Sequence, residues 1–220
     1  MPTKTFYLNE DQTAVLTAKW GLFHRNFEAF YNGQSLGEAL SADDLRQGYR
    51  YNLPDGRVFT AQLIRNQGVQ EMQLLLDEQP LPGSSTHPYE RVKQAWYVLL
   101  FIGLLSTVLG ITAEAVSSEV LRNLGLGWPS AVEGLMFLGL GWWGYQRRSS
   151  LAFYLALSLL VLDKLLTIGI AVSEGGKGFG GFGSIVLWFF FCVAIFRGAK
   201  GAKELREQER QARAEALPIF

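Results

Sequence analysis

Residues 151–172 read LAFYLALSLLVLDKLLTIGIAV, an apolar run interrupted only by Asp163-Lys164 and a few small polar side chains. Its length matches the ~20 residues that an α-helix needs to cross a hydrocarbon core of roughly 30 Å. Three further apolar segments lie around it, at about 95–113, 128–145 and 180–196. A buried helical core explains any one of these taken alone. Four in succession, with Trp96, Tyr97, Trp128, Trp142, Trp143 and Tyr145 near their ends, predict a four-helix transmembrane bundle with interfacial aromatics. Composition agrees, since charged residues make up only 18% of the 220 against about 25% in an average soluble chain. A wholly soluble protein is excluded.

Loop charges set the expected orientation. Arg91, Lys93, Arg147, Arg148, Arg197, Lys200, Lys203 and Arg206 fall on one side of the spans, and only Arg122 and Lys177 on the other. The positive-inside rule therefore puts both termini in the cytoplasm of a bacterial inner membrane, with the loops near 114–127 and 173–179 outside. No apolar stretch follows Met1-Pro2-Thr3-Lys4, so no cleavable signal peptide is expected. Beyond the last span, residues 200–220 form a charged cytosolic helix and tail, in which Glu209 and Arg213 are spaced as a helical i, i+4 pair. A solvated extension is the simpler reading of this stretch; contact with anionic headgroups or with the β domain is the other.

Residues 1–90 differ in kind, with five of the seven prolines and short apolar runs. Ala14, Leu16, Ala18 and Trp20 alternate with polar neighbours, as do Phe27, Ala29 and Tyr31. Asn32-Gly33 signals a hairpin, because both residues accept the positive φ of a type I′ turn. Tyr49, Tyr51 and Leu53 lead into Pro54-Asp55-Gly56, and Phe59, Ala61 and Leu63 leave it. Six to eight short strands are expected, forming an antiparallel sandwich or barrel-like meander with a linker over 80–90. The fold class is thus an α+β membrane protein, with a small N-terminal antiparallel β domain before a transmembrane domain over 91–199.

The intramembrane ionisable groups are the candidates for chemistry, since each costs about 2.5–3.5 kcal/mol at a helix centre. Glu133, Asp163 and Lys164 form an intramembrane polar cluster with Thr107, Glu114 and Thr167, and of these Thr107, Glu114, Glu133, Asp163 and Thr167 are expected to line the bundle interior. Similar heights in the membrane suggest a Glu133–Lys164 ion pair. A charge pair that fixes helix register is the simpler role; three acids facing one lysine would instead leave a residual negative site for protons or cations. Gly103, Gly110, Gly141, Gly144 and Gly198 supply small surfaces for helix packing.

Other chemistry finds little support. Gly176, Gly178 and Gly181 match G-x-G-x-x-G, but between two membrane helices rather than between a strand and a helix. The two histidines, His24 and His87, are far apart, and the lone Cys192 precludes an intrachain disulfide or a multi-cysteine metal site. No catalytic constellation, cofactor or metal is expected. With 20 basic and 20 acidic residues, nothing favours nucleic acid. The expected function is non-enzymatic: an oligomeric scaffold, assembly subunit or sensor, a homo-oligomer or part of a membrane complex, whose β domain binds a partner or small ligand. The alternative is an oligomeric ion channel or ion-coupled transporter gated by that domain. A membrane-bound enzyme has the least support.

Overall fold

The computed structural model describes residues 3–9, 11–22, 26–38, 40–66, 69–116, 126–173 and 182–215. The chain divides into two units, Met1–Glu90 and Arg91–Phe220. His24, the start of the fourth apolar segment, the G-x-G-x-x-G match and the outer-loop cations Arg122 and Lys177 lie outside the described residues.

The first unit is built twice from one pattern. Strands β1 (Thr3–Tyr7), β2 (Val15–Lys19), β3 (Glu28–Tyr31) and β4 (Gln34–Ser35) form one antiparallel sheet in sequence order. Strands β5 (Tyr49–Asn52), β6 (Val58–Asn66), β7 (Val69–Leu76) and β8 (Gln79–Pro80) form a second sheet of the same order. Val15-Leu16-Thr17-Ala18 and Val58-Phe59-Thr60-Ala61 hold equivalent places. Leu16 pairs with Phe6 and Tyr31, and Phe59 with Tyr51 and Leu76. The hairpin turns match in detail. Asn32 N–H donates to the Val15 carbonyl at 2.8 Å while its Oδ1 accepts from Val15 N–H at 2.7 Å. Asp77 repeats this on Val58, at 2.9 and 2.8 Å. Each turn closes through left-handed residues: Asn32 and Gly33 at φ 48° and 82°, Asp77 and Glu78 at 49° and 67°. These are the angles of a type I′ turn, whose twist suits the flanking strands.

Both sheets feed one core. Leu16, Ala18, Phe27 and Ala29 from the first meet Tyr51, Phe59, Ala61, Leu63 and Leu74 from the second. The alternating positions thus face inward, each large side chain stabilising by about 1.5–3 kcal/mol on full burial. Between the sheets in sequence lies a helix the alternation does not show, α1 (Ala42–Gln47). Ser41 starts it with a capping box: its hydroxyl accepts from Asp44 N–H at 3.2 Å, and the Asp44 carboxylate accepts from Ser41 N–H at 2.9 Å. Leu45 from this helix is fully buried in the core. Residues 81–87 run in hydrogen-bonded turns, with Leu81, Ser84 and Thr86 buried.

The remaining elements are helices α2 (Pro88–Ala115), α3 (Trp128–Gln146), α4 (Ser150–Ser173) and α5 (Phe182–Glu215). Proline opens α2 and stands in the first turn of α3, where its missing N–H costs nothing. Among the described residues three helices, not the four expected, are long and apolar enough to cross a membrane: Pro88–Ala115, Ser150–Gly169 and Ile185–Ala214. The segment that falls short is α3. Its Gly134, Gly139, Gly141 and Gly144, with Pro129, Ser130, Glu133 and three tryptophans, replace the aliphatic residues that raise hydropathy. The fourth apolar segment and the charged stretch after it form one uninterrupted helix, α5, 34 residues long and so about 50 Å at a rise of 1.5 Å per residue.

The helices touch in a ring. Gly103 and Gly110 of α2 lie against Gly134 and Ala131 of α3. Gly144 of α3 lies under the Phe153 ring of α4. Trp188 Nε1 of α5 donates to the Leu160 carbonyl of α4 at 3.2 Å. Gly198 of α5 meets Ala95 of α2, which completes the ring. Leu99, Phe137, Phe153, Ala156, Leu160 and Ile195 fill the centre.

Candidate functional site

The six side chains of the expected intramembrane cluster do not meet at one place in the structure. Glu133 is half-buried on the α3 face that also carries Phe137 and Gly144, toward α4. Asp163 of α4 is near enough for the two charges to act on each other. The Glu133–Lys164 pair is not among the ion pairs that join described residues. A turn of 100° per residue sends neighbours Asp163 and Lys164 to different seams. Lys164 instead lines an apolar cleft between α4 and α5 with Val161, Leu165, Ile168, Ile185 and Trp188.

The other members stand apart. Thr107 packs on Gly134, but its hydroxyl donates to the Gly103 carbonyl at 2.7 Å, within its own helix. Thr167 does the same to the Asp163 carbonyl at 2.9 Å. Such back-bonding satisfies a hydroxyl without any partner helix. The Glu114 carboxylate lies against Gly127, at the start of α3, where unpaired N–H groups carry partial positive charge.

Depth separates polar from apolar. On α4, Ala152, Phe153, Ala156 and Leu160 are buried, yet Asp163 and Thr167, further along the same face, are exposed. The acidic pair therefore sits above a centre closed by Phe137, Phe153 and Leu160. What this arrangement can do chemically is hold a proton or a cation at one end of the bundle; among the described residues it continues into no polar path. Nor do three of the described His, Cys, Asp and Glu residues come together as a metal site.

The packing glycines have a definite geometry. A Cβ on Gly103 would stand 2.7 Å from Leu138 Cγ, and one on Gly110 2.6 Å from the Gly127 carbonyl oxygen. At Gly141 it would be 2.9 Å from the Trp96 ring, and at Gly144 2.9 Å from Phe153. At Gly198 it would overlap Ala95. Close backbone approach of this kind lets helices associate through dispersion where no hydrophobic effect drives them.

Two polar groupings have no counterpart in the sequence reading. At the end of the helical unit opposite Glu114, Arg91 meets Glu204 at 3.4 Å, Arg148 pairs with Glu209, and Arg206 Nη2 donates to the Arg147 carbonyl at 3.1 Å. Glu209 is thus engaged by the turn that leads into α4, and the expected Glu209–Arg213 pair is not among the ion pairs that join described residues. In the β unit, Arg57 Nε donates to Asp55 Oδ2 at 2.9 Å, Arg57 Nη1 to the Leu8 carbonyl at 3.0 Å, and Tyr31 Oη to Asp55 Oδ2 at 3.1 Å. These bonds tie the turn of the second sheet to the first. The Arg57 hydrogen bond holds the Asp55 carboxyl below the usual carboxylate range, and Ser41 does the same for Asp44. Burial, aided by neighbouring Tyr49, pushes the Tyr51 phenol up to about 12, so it stays neutral. His87 Nδ1 accepts from Tyr89 N–H at 3.3 Å at the start of α2.

Compared with known proteins, the chain matches no family model, no curated protein and no solved structure.

Proposed function

We propose that this chain is a multi-pass bacterial inner-membrane protein of non-enzymatic function, in which the helical unit anchors a cytosolic β domain that binds a partner or small ligand. It works as an oligomeric scaffold, assembly subunit or sensor. One observation carries the reading: the centre of the helical ring is filled by apolar side chains and glycine–backbone contacts, as an anchor requires and a conduit does not. The finer architecture belongs to the same proposal. Helix α3 spans the membrane beside the other three, its low hydropathy offset by the packing of Gly134 and Gly141 against α2. With four spans both termini are cytoplasmic, and the clustering of Arg91, Arg148 and Arg206 with α5 supports that side as the inner one.

A second reading, an ion-conducting oligomer, is favoured by Asp163, exposed with Thr167 on a helix face whose earlier positions Ala152, Ala156 and Leu160 are buried. Native mass spectrometry of nanodisc-extracted protein, with cation flux into proteoliposomes, separates the two. The scaffold reading expects no flux above empty vesicles and a defined complex. Flux that Asp163→Asn abolishes would replace it with the channel.

A further inference from the structure

Helix α3 ends at Gln146 and α4 begins at Ser150, so Arg147, Arg148 and Ser149 make the whole turn. It is tightly held. Arg147 N–H donates to the Trp143 carbonyl at 3.0 Å and Ser149 N–H to the Gly144 carbonyl at 3.0 Å, while Arg148 adopts φ 46°. The two arginines have different fates. Arg148 pairs with Glu209 of α5, and the Arg147 side chain is exposed. Arg206 comes to the same turn from α5, its Nη2 fixed on the Arg147 carbonyl.

Three acids of α5 at this end are already engaged. Glu204 faces Arg91 at 3.4 Å, Glu207 faces Lys203 at 3.8 Å, and Glu209 faces Arg148. Among the described residues, neither Arg147 nor Arg206 has a carboxylate partner. Two arginines thus come to one turn without a carboxylate partner among the described residues, Arg206 through its bond to the Arg147 carbonyl and Arg147 as an exposed side chain, and guanidinium groups suit the oxygens of a phosphate. One turn back on α3, Trp142 and Trp143 are 57% and 39% exposed, and Trp142 packs edge-on against Trp96. Exposed tryptophans beside arginines mark the headgroup level of a bilayer.

We propose that the α3–α4 turn is a binding site for the headgroup phosphate of an anionic phospholipid, held by Arg147 and Arg206 and flanked by Trp143. The inference rests on the membrane-spanning reading, and the tryptophans select a lipid over a soluble phosphate. A lipid there clamps α5 to the turn between α3 and α4, where the charged extension of α5 leaves the bundle.

The test uses the full-length protein, released from nanodiscs of equal phosphatidylglycerol and phosphatidylcholine into native mass spectrometry. Expected is preferential retention of phosphatidylglycerol, lowered about fivefold by Arg147→Gln and about 25-fold by Arg147→Gln with Arg206→Gln. Arg210→Gln, further along α5, keeps the wild-type preference. Because the Arg147 side chain is exposed and joins no described residue by a hydrogen bond or ion pair, the single variant reads the site with little disturbance of the fold. Equal retention of both lipids by the wild type, an unchanged preference in the double variant, or full displacement by millimolar inorganic phosphate would each overturn the site. Carbonate extraction distinguishes the deeper failure: protein released from membranes by alkali refutes the spanning reading itself, whereas retention in the pellet leaves only the lipid site at issue.

Discussion

Gly134 is a place where the helical unit is sensitive to one methyl group. A Cβ there would overlap Thr107 Oγ1 and stand 2.6 Å from both the Gly103 carbonyl oxygen and the Thr107 backbone nitrogen. Two of the three obstacles are backbone, so no rotamer relieves them. Reaching ordinary contact at 3.4 Å requires α2 and α3 to separate by at least 0.8 Å along that line, which also loosens Gly103 on Leu138 and Gly110 on Ala131. Overpacking of this kind costs about 1–3 kcal/mol, and the gain in helix propensity from glycine to alanine recovers no more than about 1. Gly139 provides the internal control, for it lies on the same helix with nothing within 4 Å of the added atom. In thermal unfolding of the detergent-solubilised protein, Gly134→Ala should lower the Tm by several degrees, at about 2–4 °C per kcal/mol for a chain of this size. Gly139→Ala should leave it unchanged or raise it. Equal midpoints for the two variants would refute the idea that glycine–backbone contact holds α2 to α3.

Two predictions concern the β unit, measured by urea unfolding of residues 1–90, which should show a β-rich circular dichroism spectrum. Leu45→Ala removes a fully buried side chain from the shared core and should cost about 2–5 kcal/mol; a loss below 1 would mean that α1 is not part of that core. The acid limb tests Asp55, whose folded pKa is lowered chiefly by Arg57. A lowered folded pKa contributes stability that is present above the unfolded value, near 3.9, and is lost as pH falls through the folded one. Asp55→Asn should therefore cost stability at pH 7 and narrow the gap between pH 7 and pH 2.5, and an unchanged gap would show that the Asp55–Arg57 contact does not form.

Local patterns made much of this architecture readable. Alternation at Leu16, Ala18, Phe59 and Ala61 points to the buried faces, and Asn32-Gly33 names its turn, because period-2 burial and positive φ are properties of a few adjacent residues. Helix α1 escaped for want of length: its six residues give no period, although Ser41 and Asp44 are spaced as a capping box. The duplication of the sheets is faint in sequence because β6 and β7 are longer than β2 and β3, so the spacing between copies is not constant. Register makes it plain. In the helical unit, apolar length identifies the elements, but length alone makes α3 equivalent to the others although its glycines and tryptophans lower its hydropathy.

What the sequence determined by itself is the division into a strand-rich half and a helix-rich half, the apolar helices, and which residues are small or charged on each face, since all of these follow from periodicity and composition. Which charges meet was decided by tertiary structure. Glu133 lies by Asp163 rather than in an ion pair with Lys164 because adjacent residues on α4 point into different seams. Arg206 reaches Arg147, and Glu209 reaches Arg148, only because α5 continues unbroken past the turn between α3 and α4. Contacts between residues some 60 positions apart depend on how helices pack, and packing is set by the meeting of glycines with backbone that no single segment records.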